Sequence, residues 1–144
     1  MASALAFLPD DDPPPSKWPI LGARTDREEL QIQFQFRKDA KAICPGVRVV
    51  AVPNGTHIAS RYGRAKANKE GRSAGFPDLM CIWPGGTAYI EFKAGKSGSV
   101  DENQARWLDW LRDAGFPCVV SRHEEHALGW LKSLGAPFRE KVGL

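Results

Sequence analysis

Gly75-Phe76-Pro77-Asp78-Leu79-Met80-Cys81-Ile82-Trp83-Pro84-Gly85-Gly86-Thr87-Ala88-Tyr89-Ile90-Glu91-Phe92-Lys93 holds two short apolar runs joined by Pro-Gly-Gly. Leu79 to Trp83 reads as a strand, Pro84-Gly85-Gly86 as a turn, and Thr87 to Lys93 as the returning strand of an antiparallel hairpin. Side chains alternate along a strand, so Glu91 and Lys93 share one face and Phe92 takes the other. An acid heads one apolar run, and an acid and a lysine close the other. Charged residues at the ends of apolar strands are costly unless a function holds them there. Two carboxylates plus a lysine are what a hard divalent metal and an attacking water require.

Working outward, Val47 to Val52 is a β-branched run that predicts another strand, closed by Pro53-Asn54-Gly55. The segment before it is two-sided. Leu30 to Phe36 alternates as a half-buried strand would, but Thr25 and Glu28 form a capping-box pattern and the polar tail through Lys41 suits a helix. Helix is the reading taken. At 100° per residue Glu29, Ile32, Gln33, Phe36, Ala40 and Ile43 share its apolar face, whereas Glu28, Gln31 and Gln35 share another. After Lys93, Gly95 to Gly98 reads as a loop, and Ser99 with Glu102 as the cap of a helix striped by Val100, Gln104, Trp107, Leu108 and Leu111. Cys118 to Ser121 is a last strand, and a final helix carries Ala127, Leu128, Leu131 and Leu134.

The predicted order, α-β-β-β-α-β-α, is an α/β arrangement with a mixed four-stranded sheet flanked by helices. Residues 1–24, with Asp10-Asp11-Asp12-Pro13-Pro14-Pro15, read as a flexible extended arm. Residues 25–134 make the domain and 135–144 a tail.

These segments resemble the PD-(D/E)xK nuclease superfamily and, within it, the virus-type replication-repair nuclease (VRR-NUC) family. The resemblance covers about residues 28 to 131. It includes Glu29-Leu30-Gln31-Ile32-Gln33, Val52-Pro53-Asn54-Gly55, Ala74-Gly75-Phe76-Pro77-Asp78-Leu79, Ile90-Glu91-Phe92-Lys93-Ala94-Gly95-Lys96 and Asp101-Glu102-Asn103-Gln104. Each is weak alone, since an Asp or an ExK pair arises often by chance; in this order and spacing they form a specific signal.

The resemblance implies phosphodiester hydrolysis with Mg²⁺ or Mn²⁺, ions that take oxygen ligands and keep several waters. Asp78 and Glu91 are then the metal-binding carboxylates, with the main-chain carbonyl of Phe92 as a further ligand. Lys93 orients or deprotonates the water, or holds a phosphate oxygen. Glu29 is the family's acid on the first helix, with Gln33 following it four residues later; the bland alternative is a helix-start acid favoured by the dipole. Gln104 interrupts an apolar stripe, and a buried amide needs either a structural partner or a site role. Gly75, Pro77 and Asn54 support the site. Gly75 serves a close approach to DNA or simply a turn.

Net charge is +3 over 144 residues, enough chain for one domain. Its distribution says more. From His57 to Ala74, Arg61, Arg64, Lys66, Lys69 and Arg72 face Glu70 alone, and with Lys96 they are the expected DNA-phosphate contacts. No apolar run reaches the ~20 residues that cross a bilayer, and residues 1–8 lack the pattern of a secretory signal, so the expected home is the cytoplasm of a bacterial or phage-infected cell. Cys44, Cys81 and Cys118 lack metal or disulfide spacing. His123 and His126 lack the HExxH spacing and read as a surface helix start. Trp107, Trp110 and Trp130 read as core or interface.

The expected activity is a metal-dependent endonuclease on branched DNA, of Holliday-junction or flap type, acting as a homodimer because symmetric incision needs two sites. Two other readings stay open: a DNA-binding module with a vestigial site, and a DNA-degrading or restriction-type nuclease.

Overall fold

The computed structural model describes residues 13–53 and 74–139. Strands β1 (Ile20–Leu21), β2 (Arg48–Ala51), β3 (Leu79–Trp83), β4 (Gly86–Phe92) and β5 (Cys118–Ser121) form one mixed sheet in the order β1-β5-β4-β3-β2. Helices α1 (Glu29–Ile43), α2 (Glu102–Asp113) and α3 (Glu124–Ser133) flank it. No helix among the described residues is long and apolar enough to cross a membrane.

The hairpin forms as expected. Trp83 pairs Gly86 across Pro84-Gly85, and Leu79 pairs Ile90 at the far end. Gly85 has φ +95, the left-handed conformation that a tight turn demands and glycine accepts. The next rung beyond Leu79–Ile90 sets Asp78 beside Glu91, so both acids leave one face of the sheet. The alternate residues Leu79, Cys81, Ala88, Ile90 and Phe92 face the other way, into a core completed by Ile32, Phe36 and Ala40 of α1 and Ala127, Leu128 and Leu131 of α3. Phe36 and Phe92 are fully buried with ring centroids 5.3 Å apart. Removal of such a side chain from water contributes about 1.5–3 kcal/mol.

The sheet has five strands, not four. Ile20–Leu21, in the segment expected to be an arm, pairs parallel with Val120 and Ser121. Just before it, the Ser16 amide and the Trp18 indole both donate to the Asp109 carboxylate, at 2.9 Å each. These bonds draw the segment after the proline run onto α2 and the sheet edge. They arise from partners some 90 to 100 residues away, which local pattern does not reveal.

Helix caps also differ from expectation. Glu28 caps α1 in a reciprocal box with Gln31, and Asp101 caps α2 in one with Gln104. Thr25 is occupied elsewhere, its amide donating to the Gly95 carbonyl at 3.0 Å. A Cβ on Gly95 would lie 2.2 Å from the Thr25 hydroxyl. That close approach joins the chain before α1 to the loop after β4.

The cysteines are free thiols, Cys44 and Cys81 buried and Cys118 partly so. Burial, reinforced at Cys81 by the neighbouring Cys44 sulfur, pushes Cys81 up to about 12. None is a nucleophile at neutral pH.

Candidate metal and active site

Three carboxylates meet at the open end of the hairpin. One oxygen each from Glu29, Asp78 and Glu91 lies within 4.8 Å of the others. Each arrives on a different element. Asp78 comes just before β3, Glu91 on β4, and Glu29 in the first turn of α1. Glu29 is carried there by the short ladder in which Thr25 donates to Gly95 and Gly95 donates back to Arg27, at 2.9 Å. Glu29 is the acid of this turn that lies in the cluster, whereas Glu28 is spent on the cap.

Asp78 Oδ2 accepts the Phe92 amide at 3.1 Å, which fixes the carboxylate across the hairpin. Glu91 Oε2 accepts from Gln104 Nε2 at 3.0 Å and lies 3.3 Å from Lys93 Nζ. Gln104 Oε1 in turn accepts from Lys93 Nζ at 2.5 Å and from the Asp101 amide at 3.0 Å. Gln104 thus closes a ring with both members of the ExK pair, and its two sequence readings, structural partner and place at the site, coincide.

Asp78, Glu91, Lys93 and Gln104 are all buried. Burial, then the Asp78 charge, push the Glu91 carboxyl up from its ordinary 4.5 to about 9; Lys93 pulls it down, while Glu29 adds to the rise. Glu91 Oε1 has no hydrogen-bond partner among the described residues although it is shut off from solvent. An unpaired buried acceptor costs about 1–3 kcal/mol. A cation at the cluster would offset the charge that an ionised Glu91 places beside Asp78.

This donor set fits a hard divalent cation. Oxygens at about 2.1 Å from a common Mg²⁺ lie at most about 4.2 Å apart, so a 4.8 Å cluster needs only a small contraction. All-oxygen ligation favours Mg²⁺, Mn²⁺ or Ca²⁺ over zinc.

Gly75 has φ +88, and a Cβ there would lie 2.7 Å from the Asn103 carbonyl carbon on α2. Its requirement is therefore both conformational and a helix contact. Pro77 is fully buried. Gln33 lies partly buried one turn beyond Glu29 on α1. Lys96 is exposed, and its carbonyl accepts from Arg24 Nη1 at 3.0 Å. Asn54, Arg61, Arg64, Lys66, Lys69 and Arg72 lie outside the described residues.

Sequence reading missed the Arg27–Glu124 pair, and it took Asp101 only as part of the family motif, not as the helix cap. Arg27 Nη1 forms a short ion pair with Glu124 Oε2 at the start of α3. Asp101 did carry a signal, because Asp-x-x-Gln is itself a capping-box pattern. His123 caps α3, its Nδ1 accepting the Glu125 amide at 3.2 Å. Trp107 packs edge-on to Phe76 at 5.0 Å and near Trp110 at 6.1 Å.

Residues 19–125 match the model of the VRR-NUC domain, a PD-(D/E)xK-like fold. The chain is 33% identical over 66 residues to a Fanconi-associated nuclease 1 homolog of Pseudomonas aeruginosa. That alignment covers 44% of this chain and 12% of the relative, so the chain spans a small part of that protein's length. No solved structure matches the chain significantly.

Proposed function

The chain belongs to the VRR-NUC domain family, and on that premise we propose that it is a Mg²⁺- or Mn²⁺-dependent DNA endonuclease acting on branched or flapped DNA. Asp78, Glu91 and Glu29 would hold the ion, with the main-chain carbonyl of Phe92 as a further oxygen donor. When bound, the ion supplies Lewis acidity at the phosphoryl group and lowers the pKa of water.

The chain's own residues do the rest. Lys93 Nζ is aimed by Gln104 Oε1 and Glu91 Oε2, a position from which it orients the attacking water or a phosphate oxygen. Gln104 holds Glu91 and Lys93 in fixed rotamers, so little reorganisation accompanies reaction. Lys96 and the basic segment bearing Arg61, Arg64, Lys66, Lys69 and Arg72 contact backbone phosphates. Gln33, Asn54, Gly75 and Pro77 support the site, two copies associate as a C2 dimer for paired incision, and the protein works in the cytoplasm with the DNA.

The observation that carries this reading is Glu91 Oε1, a buried acceptor without a hydrogen-bond partner among the described residues, within a three-carboxylate cluster. A cation satisfies it; a structural salt bridge with Lys93 alone does not.

Cleavage of a labelled panel (Holliday junction, flap, fork, duplex and single strand) in Mg²⁺ and in Mn²⁺ tests the proposal, with Asp78→Ala and Lys93→Ala alongside. Cutting of branched substrates, abolished by EDTA and by both substitutions, is the expected result. Silence on every substrate with salt-sensitive binding retained would overturn catalysis in favour of a binding module.

A further inference from the structure

The outer face of α1 carries a second feature beside the carboxylates. Leu30 is 75% exposed and Phe34 61%, the two most exposed large apolar side chains among the described residues. At 100° per residue Leu30, Phe34, Arg37 and Lys41 fall on one line of the helix, with Lys38 next to it. Arg37, Lys38 and Lys41 are exposed, and none has an ion-pair partner among the described residues. Asp39, the acid on this stretch, points away and accepts from Gln35 at 2.7 Å.

The apolar end of the stripe is the end of α1 that bears Glu29, with Leu30 turned about 100° and Phe34 about 140° around the helix axis from that acid. From there it runs about 16 Å along the helix, roughly the rise of five nucleotides at 3.4 Å each. Two exposed apolar side chains, followed by three cations with no acid on the same line, complement a polyanion whose apolar faces are open. Unpaired DNA bases have that character and stacked duplex bases do not.

We propose that this stripe is a single-strand binding surface: Phe34 and Leu30 pack on unpaired bases, and Arg37, Lys38 and Lys41 track the following phosphates. This rests on the nuclease reading and goes beyond it, because it locates on α1 the feature that distinguishes branched from continuous DNA. A second copy of this chain is the competing occupant.

The test is fluorescence anisotropy of the intact protein with a labelled flap and a blunt duplex of matched sequence, in Ca²⁺ in place of Mg²⁺ or Mn²⁺. Phe34→Ala should weaken flap binding about tenfold, the loss of one stacked base, and duplex binding less than twofold. Phe34→Tyr, which keeps the ring, should restore the preference. Arg37→Gln and Lys41→Gln should weaken flap binding more than duplex binding and each lower the flap's salt slope by about 0.7. Equal effects of Phe34→Ala on both DNAs, or none, would overturn the proposal. So would a change in sedimentation mass with Phe34→Ala, which would assign the pair to self-association. Wild-type protein that binds no DNA at all removes the nuclease reading itself, an outcome distinct from binding that ignores Phe34.

Discussion

Gln104 Nε2 donates a 3.0 Å hydrogen bond to Glu91 Oε2 from the first turn of α2. The same side chain caps its own helix with Asp101 and accepts Lys93 Nζ. One amide therefore couples the placement of a helix to the rotamers of an acid and a lysine on β4. Its glutamine identity is specific, since it must donate to a carboxylate and accept from an ammonium at once.

Gln104→Ala should lower stability by about 1–3 kcal/mol, leaving the Asp101 amide and Lys93 ammonium without this acceptor. Cleavage should fall about 10- to 100-fold, as when a metal-site positioning residue is lost. Thermal melts and single-turnover rates measure the two separately. A rate unchanged in a stable variant would show that Gln104 serves only as a cap.

Glu91 makes metal-free stability depend on pH. Below about 4.5 its carboxyl is protonated in both folded and unfolded chains; above that, the unfolded chain ionises while burial keeps the folded carboxyl protonated up to about 9. The unfolded state thus gains on the folded one across this window, and stability contributed by this group falls as pH rises. Melts in EDTA should show the decline, Mn²⁺ should offset it most at high pH, and binding should release a proton. Glu91→Gln should flatten both responses and be more stable than wild type at pH 8 without metal. A wild-type stability that rises steadily from pH 5 to 9 in EDTA, and equally in Glu91→Gln, contradicts this.

Gly75→Ala should cost about 2–4 kcal/mol, combining left-handed strain with overlap against Asn103 on α2. The melting temperature should drop by on the order of 5–10 °C. Because Gln104 follows Asn103, activity at a temperature where the variant stays folded should fall too. A variant with unchanged melting and activity would mean that α2 can shift freely.

Arg27 and Glu124 tie the entry to α1 onto the start of α3. Burial alone would raise Glu124, but its backbone hydrogen bond, the Arg27 hydrogen bond and the Arg27 and His123 charges hold it below the usual carboxylate range. Arg27→Ala should weaken Mn²⁺ binding several-fold through displacement of Glu29, with a stability loss of about 1 kcal/mol. Glu124→Ala should match it, and the double variant should be no worse than either single one. Calorimetric titration with Mn²⁺ reads this directly, and additive losses would place the two residues in separate roles.

Legibility followed the range of the forces involved. The hairpin could be read from its turn residues and alternation, because its partners are neighbours in sequence. The wheel set Glu29 on a face with Ile32, Phe36 and Ala40, which are buried, but also with Ile43, which is 40% exposed at the end of the helix. The caps were misjudged, since Thr25–Glu28 and Ser99–Glu102 satisfy the same local pattern as Glu28–Gln31 and Asp101–Gln104. Thr25's contact with Gly95 decides the first case, and that contact exists only in the folded chain.

The sequence by itself determined four of the five strands, the three helices, the acids and lysine at the open end of the hairpin, and the family signature, because each follows from backbone periodicity and residue type within a short window. Tertiary structure decided that Ile20–Leu21 joins the sheet, that β5 runs parallel beside β4, and that Glu29, Asp78, Glu91, Lys93 and Gln104 converge. The raised Glu91 carboxyl and its unsatisfied oxygen belong there too. Desolvation and charge proximity depend on which distant segments exclude water from one point, and no local window of the chain contains that information.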